Sequence, residues 1–304
     1  MPSFLILLVL RLSLCNIALK IFFFSGTAFE PLRGSIQEIL TEGCSDVVTA
    51  AARAIAPRSM AKYLNLIANA LPAGGSHVLE DGRSMNQRQL YLESLRLYPQ
   101  YSHAHNNLGL LLTSSERVTL PDGRSVNQRE LRIEAIKHAP RDEVLYSNLA
   151  LIMTSDERIR LLDGRNMSRR EMYLEALRLN PRYAAAYNGL ACTLTAEERV
   201  ELPDGRQMSR RELYLECLLF DPRKAAAFGN LAVTSTSATE RISLPGGRSM
   251  NQRELYLEAL RIDPRYILAL EQLAHTMTAT ETITLPDNQV MNQEQLRTFA
   301  ATLA

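Results

Sequence analysis

Residues 169–209, RREMYLEALRLNPRYAAAYNGLACTLTAEERVELPDGRQMS, hold one full cycle of a pattern that returns along most of the chain. Between Arg169 and Asn180 the apolar residues Met172, Tyr173, Ala176, Leu177 and Leu179 form a wide stripe, while Glu171, Glu175 and Arg178 stand at i, i+4, i+7 on the other side. That spacing predicts an amphipathic helix. Pro181 ends it, because proline disfavours the helical region for the residue before it. From Tyr183 to Thr195 small residues dominate, with Tyr187, Leu190, Ala191 and Leu194 in register, which predicts a second helix that a neighbour can approach closely. In residues 199–209 Val200 and Leu202 alternate with polar residues around Pro203-Asp204-Gly205. Proline followed by Asp and Gly is turn chemistry, so a miniature β-hairpin or an ordered loop is expected there.

The cycle repeats. Turn glycines fall at Gly82, Gly123, Gly164, Gly205 and Gly247, in steps of 41, 41, 41 and 42. The ladders Pro99, Pro140, Pro181, Pro222, Pro264 and Glu93, Glu134, Glu175, Glu216, Glu258 keep the same steps. One helix pair with a turn insert cannot bury its own apolar face, so neighbours must stack and share a core. The expected fold is therefore an all-α right-handed solenoid of stacked helix pairs with short hairpin-like inserts. Its units run over about 59–99, 101–140, 142–181, 183–222, 224–264 and 266–304, with degenerate helices over 30–58. The additional residue of the 42-residue step is expected between Ala232 and Glu240, where a loop can absorb it.

Composition narrows the function. The chain has 304 residues, 46% of them apolar, which is too apolar for general disorder and long enough for a core. Its 34 Lys+Arg against 33 Asp+Glu leave no overall field to attract nucleic acid, which is not an expected partner. Four cysteines, Cys15, Cys44, Cys192 and Cys217, show neither CxxC pairing nor histidine neighbours and read as free thiols, favouring a reducing compartment. His103 and His105 stand at i, i+2 and point to different helix faces, so they cannot chelate together. With no nucleophile elbow, phosphate loop or zinc spacing, no catalytic residue, metal site or cofactor is expected.

At the positions Tyr146, Leu149, Ala150, Tyr173, Ala176 and Pro181, and again at Tyr187, Leu190, Ala191, Tyr214, Cys217 and Pro222, the chain resembles the tetratricopeptide repeat family. The resemblance covers roughly residues 45–304. It departs in period, because the family repeats every ~34 residues and 41 here means about seven inserted between the helices of each unit. The resemblance implies a non-catalytic array whose first helices line a concave groove for an extended peptide or a partner helix. It also implies a ladder of carboxamides along that groove, at Asn107, Asn148, Asn230 and Gln272, interrupted at Leu66 and Gly189, with Asn106, Ser147 and Asn188 beside it. A carboxamide offers one acceptor and two donors and can pair with any peptide unit. Capping of local backbone is the alternative use of these asparagines. Leu110, Leu151, Cys192, Val233 and His275 colour the same face, which would suit a neutral or amphipathic segment.

A second candidate is the arginine column of the inserts, Arg83, Arg124, Arg165, Arg206 and Arg248, which would line one edge as a basic strip if the inserts stack. The alternative is pairing of each with Asp81, Asp122, Asp163, Asp204 or a nearby glutamate. Residues 1–29 form an apolar N-terminal segment, FLILLVLRLSLCNIALKIFFF from Phe4 to Phe24, broken by Arg11, Asn16 and Lys20. It reads as an anchor, a targeting signal or a capping helix. The expected function is a scaffold or adaptor for other proteins, cytoplasmic or membrane-associated through this segment. The other readings are the repeat region of an enzyme such as a protein glycosyltransferase, against which the chain's end at Ala304 counts, and a membrane-tethered organiser.

Overall fold

The computed structural model describes residues 46–79 and 81–303. The expected anchor or capping segment 1–29, and the part of 30–58 before residue 46, lie outside the described residues. The first helix, α1, runs Asp46–Ala70 and carries Pro57 within it. Then follow β1 Ser76–Val78, β2 Ser84–Asn86, α2 Gln87–Leu97, α3 Ser102–Leu111, β3 Arg117–Thr119, β4 Ser125–Asn127, α4 Gln128–His138 and α5 Glu143–Leu151. Next come β5 Arg158–Arg160, β6 Asn166–Ser168, α6 Arg169–Leu179, α7 Ala184–Ala191, β7 Arg199–Glu201, β8 Gln207–Ser209, α8 Arg210–Phe220 and α9 Ala225–Val233. The described residues end with β9 Ile242–Ser243, β10 Ser249–Met250, α10 Gln252–Ile262, α11 Ile267–His275, β11 Thr282–Thr284, β12 Val290–Asn292 and α12 Gln293–Leu303. Odd-numbered helices are the first of each pair and even-numbered ones the second. Each first helix packs on its own second helix, and each second helix on the next first helix, which makes an α-solenoid.

The hairpins form because the turn residues leave few alternatives. In Leu202-Pro203-Asp204-Gly205 the Gly205 N–H donates to the Leu202 carbonyl at 2.9 Å and Gly205 sits at φ +85°, which an L side chain resists. Val200 then faces Met208 across the antiparallel pair, and both are buried. Val118 and Val126, and Ile159 and Met167, do the same in the preceding hairpins. Each insert thus plugs apolar side chains between its two helices. The strand leads directly into a capping box: Ser209 Oγ accepts from Glu212 N–H while Glu212 accepts from Ser209 N–H at 2.7 Å, and Asn86, Asn127, Ser168 and Asn251 cap α2, α4, α6 and α10 in the same way.

Aromatic side chains fill the interior. Tyr146, Tyr173, Tyr187, Tyr214 and Tyr256 are all buried. The apolar interior is continuous from Ala135 to Ala300, and a second cluster spans Leu64 to Leu131. The two part within α4, where Arg132 is buried in place of the tyrosine of α2, α6, α8 and α10, close to the buried His105 of α3.

Candidate functional site

Three arginine columns organise the units. Those of the inserts, Arg83, Arg124, Arg165 and Arg206, each place Nε 2.7–2.8 Å from the carboxylate two residues earlier, on Asp81, Asp122, Asp163 and Asp204. The other side of each guanidinium reaches the glutamate ten residues on, Glu93, Glu134, Glu175 or Glu216. Arg248 has Gly246 two residues earlier in place of the aspartate and keeps only Glu258, at 3.4 Å. These guanidiniums are consumed in tying each hairpin to its second helix, and the column presents paired rather than free charge.

A second column binds one unit to the next. Arg88, Arg129, Arg170 and Arg211, at the start of second helices, reach Glu116, Glu157, Glu198 and Glu240 of the following unit at 2.5–2.7 Å. Arg253 pairs likewise with Glu281. Arg170, Arg211 and Arg253 also donate to the carbonyls of Thr193, Thr234 and Thr276 beyond the next first helix. The additional residue of the long unit lies between Thr236 and Glu240, and the pairing survives it. A third column, Arg117, Arg158, Arg199 and Arg241, pairs with the capping-box glutamates Glu130, Glu171, Glu212 and Glu254. Sequence reading missed the second and third columns, although both are visible as arginine and glutamate recurring at the common step.

The carboxamides come together in two groups. Asn148 Nδ2 donates to Asn106 Oδ1 at 3.0 Å, and Asn106 Nδ2 to Asn107 Oδ1 at 3.2 Å. Asn107 Nδ2 reaches Asn65 Oδ1 at 3.2 Å and Asn69 Oδ1 at 3.0 Å. Tyr91 Oη closes the chain on Asn69 at 2.5 Å. Further along, Asn230 Nδ2 donates to Asn188 Oδ1 at 3.1 Å. Asn107, Asn148 and Asn230 therefore each lean on the neighbouring first helix of the preceding unit. Between the groups the chain is broken at Ser147 and Gly189, where the Tyr173 ring lies so close that a Cβ on Gly189 would stand 2.3 Å from it. Gln272 is half-buried, and the preceding unit offers it only Gly229, covered by Tyr266.

Beside the amides runs a row of exposed side chains at one equivalent position of successive first helices: Leu110 (50% exposed), Leu151 (64%), Cys192, Val233 and His275. Asn69 holds the same position in α1. Val144 and His103 are exposed two turns earlier on the same face. The arrangement can offer apolar contact along a line flanked by hydrogen-bonding amides. Among the described residues there is no group of three His, Cys, Asp or Glu placed to hold a metal, and no helix long and apolar enough to cross a membrane. Cys217 is buried, and desolvation pushes its thiol up to about 12.

No family model matches the chain. No curated protein matches it either. Among the solved structures that match is the crystal structure of YrrB, described as a TPR protein with an unusual peptide-binding site, at 18% identity and a TM-score of 0.33, covering 61% of this chain and 81% of its own. By its own helix packing the present chain is an α-solenoid of repeated helix pairs with a hairpin set into each pair.

Proposed function

We propose that the chain is a non-catalytic scaffold that receives a segment of a partner protein, in extended form, along the exposed face of its first helices. The observation that carries this reading is the row Leu110, Leu151, Cys192 and Val233, apolar side chains left in solvent at one repeated position while the equivalent interior positions are fully buried. Aligned exposed apolar side chains rimmed by polar groups mark interaction sites. The flanking carboxamides keep unused capacity: neither Asn148 Oδ1 nor Asn230 Oδ1 accepts a bond from another described residue. A peptide backbone laid along the row would supply the missing donors.

The test uses a random-peptide display library against the wild type and a Leu110→Asp/Leu151→Asp variant. Both side chains are exposed, so the variant keeps the wild-type circular dichroism and a stability within about 1 kcal/mol, about 0.5 for each substitution. The wild type enriches binders and the variant does not; equal enrichment by both refutes the reading. An Asn107/Asn148/Asn230→Ala variant is a poorer probe, because those amides also join adjacent units.

A further inference from the structure

Six residues on from each proline of the ladder the first helices carry His105, Tyr146, Tyr187, Phe228 and Leu270, and two residues before each proline the second helices carry Leu97, His138, Leu179, Phe220 and Ile262. The two positions meet inside a unit: the ring centres of Tyr187 and Phe220 lie 5.6 Å apart and join α7 to α8. Between α3 and α4 the same two places hold imidazoles, His105 and His138, stacked with their centres also 5.6 Å apart. His105 is 3% exposed. Its Nε2 lies 2.8 Å from the Pro99 carbonyl oxygen, which can only accept, so Nε2 carries the proton of the neutral ring. Nδ1 is then the bare nitrogen, and it is buried without a partner. A second proton makes Nδ1 a buried donor with nothing to accept from it and charges the ring as well. His138 Nε2 lies 3.5 Å from Glu134, but that carboxylate is already engaged by Arg124 of the hairpin at 2.9 Å and by Lys137 at 3.3 Å. Two imidazoliums, Arg124 and Lys137 would therefore crowd around Glu134 and the Asp122 that holds Arg124. The acidic groups of the flanking helices are occupied elsewhere: Glu93 of α2 by Arg83 and Arg96, Asp142 and Glu143 at the start of α5 by His103 and Asn180. Arg132 of α4, itself buried, bonds the Asn148 carbonyl and brings a further positive charge to the same helix. The apolar interior also divides here, one cluster ending at Leu131 and the next starting at Ala135.

We propose that the stacked pair His105–His138 is an acid-operated joint: proton uptake parts α3 from α4 and divides the array at that point, while the units on either side stay folded. Stacked units hold one another only through nearest neighbours, so a break at one junction need not spread. The neighbouring apolar interior supplies no reserve, because the clusters on the two sides are already separate. Leu110 lies on one side of the joint and Leu151 on the other, and opening interrupts the exposed row between them.

The test measures amide hydrogen exchange along the full chain at about pH 7 and about pH 5, each rate referred to the intrinsic rate at that pH. It compares the wild type with His105→Tyr/His138→Phe, which sets the ring pair of α7 and α8 into this joint. In the wild type the protection of α3 and α4 falls about tenfold or more between the two pH values, because rings freed by opening titrate near about 6.5. The helices α8 to α11 keep their protection. In the double variant α3 and α4 keep theirs too. His138→Phe alone removes one of the two charges and shows a smaller loss than the wild type, which decides the matter should the double variant be unfolded at pH 7. A loss spread evenly over all helices, a loss at α3 and α4 that the variants leave unchanged, or no loss in the wild type overturns the joint.

Discussion

His105 occupies the position held by Tyr146 and Tyr187 in the next two units, and it copies their hydrogen bond: its Nε2 lies 2.8 Å from the Pro99 carbonyl, as Tyr146 Oη and Tyr187 Oη lie 3.1 and 3.0 Å from those of Pro140 and Pro181. The copy is imperfect, because Nδ1 is buried without a partner. Burial holds the imidazole below its ordinary 6.5 against the hydrogen bond to the Pro99 carbonyl and the pull of Glu134, and the stacked His138 and Arg124 push the same way as burial. His138 is lowered as well, chiefly by burial. The unfolded chain therefore takes up these protons first. Stability is fully present above 6.5 and is lost as pH falls through the window below it. The thermal midpoint should drop between about pH 7 and about pH 5, before most carboxylates titrate, and His105→Tyr should flatten much of that drop. A second residue-scale test is Gly189→Ala, whose methyl meets the Tyr173 ring at 2.3 Å and should cost about 1–3 kcal/mol in urea unfolding.

The unit's hairpin is a device for joining two helices at a fixed angle, and its parts are separable. Gly205 at φ +85° permits the turn, Asp204 holds the Arg206 N–H at 3.0 Å, and Arg206 pins the turn to Glu216 on α8. In the last hairpin Asn288 takes the glycine's place at φ +69°, as the left-handed region allows for asparagine. Gly205→Ala should thus cost about 1–2 kcal/mol and Gly205→Asn distinctly less, measured by chemical denaturation. The capping box that follows is worth about 1 kcal/mol, so Ser209→Ala should lower the midpoint by a comparable amount without altering the helix content.

Across the molecule the units are held by stacked apolar faces and by one repeated ionic clasp, of which Arg211 with Glu240 and the Thr234 carbonyl is an example. An array of this kind has nearest-neighbour stability, so weakening one interface loosens the chain locally. In Arg211→Ala the amides of α9 and α10 should lose hydrogen-exchange protection while those of α3 keep theirs; a uniform loss would show that the array unfolds as one block. The last second helix shows the same logic in reverse: α12 carries Glu294 where the others carry the clasp arginine, and exposed Arg297 where they carry tyrosine or Arg132.

The helix pair and its hairpin insert were legible in residues 169–209, and the period in their recurrence along the chain, because amphipathic spacing, proline stops and a Pro-Asp-Gly turn are local signals repeated until chance is excluded. The two possible uses of the insert arginines were both readable, but the choice was not: it needed Glu216 brought to within 2.5 Å of Arg206 by a helix that starts five residues after the turn glycine. The carboxamides recur at a readable position in the sequence, yet only the packing of neighbouring first helices showed Asn148 resting on Asn106 and Asn107 on Asn65 and Asn69. Arg132 was invisible as a special residue, being one arginine in a chain full of them. What singles it out is burial without a counter-charge, and burial is set by which helices close over a side chain, a property of the stacked array and of no single unit.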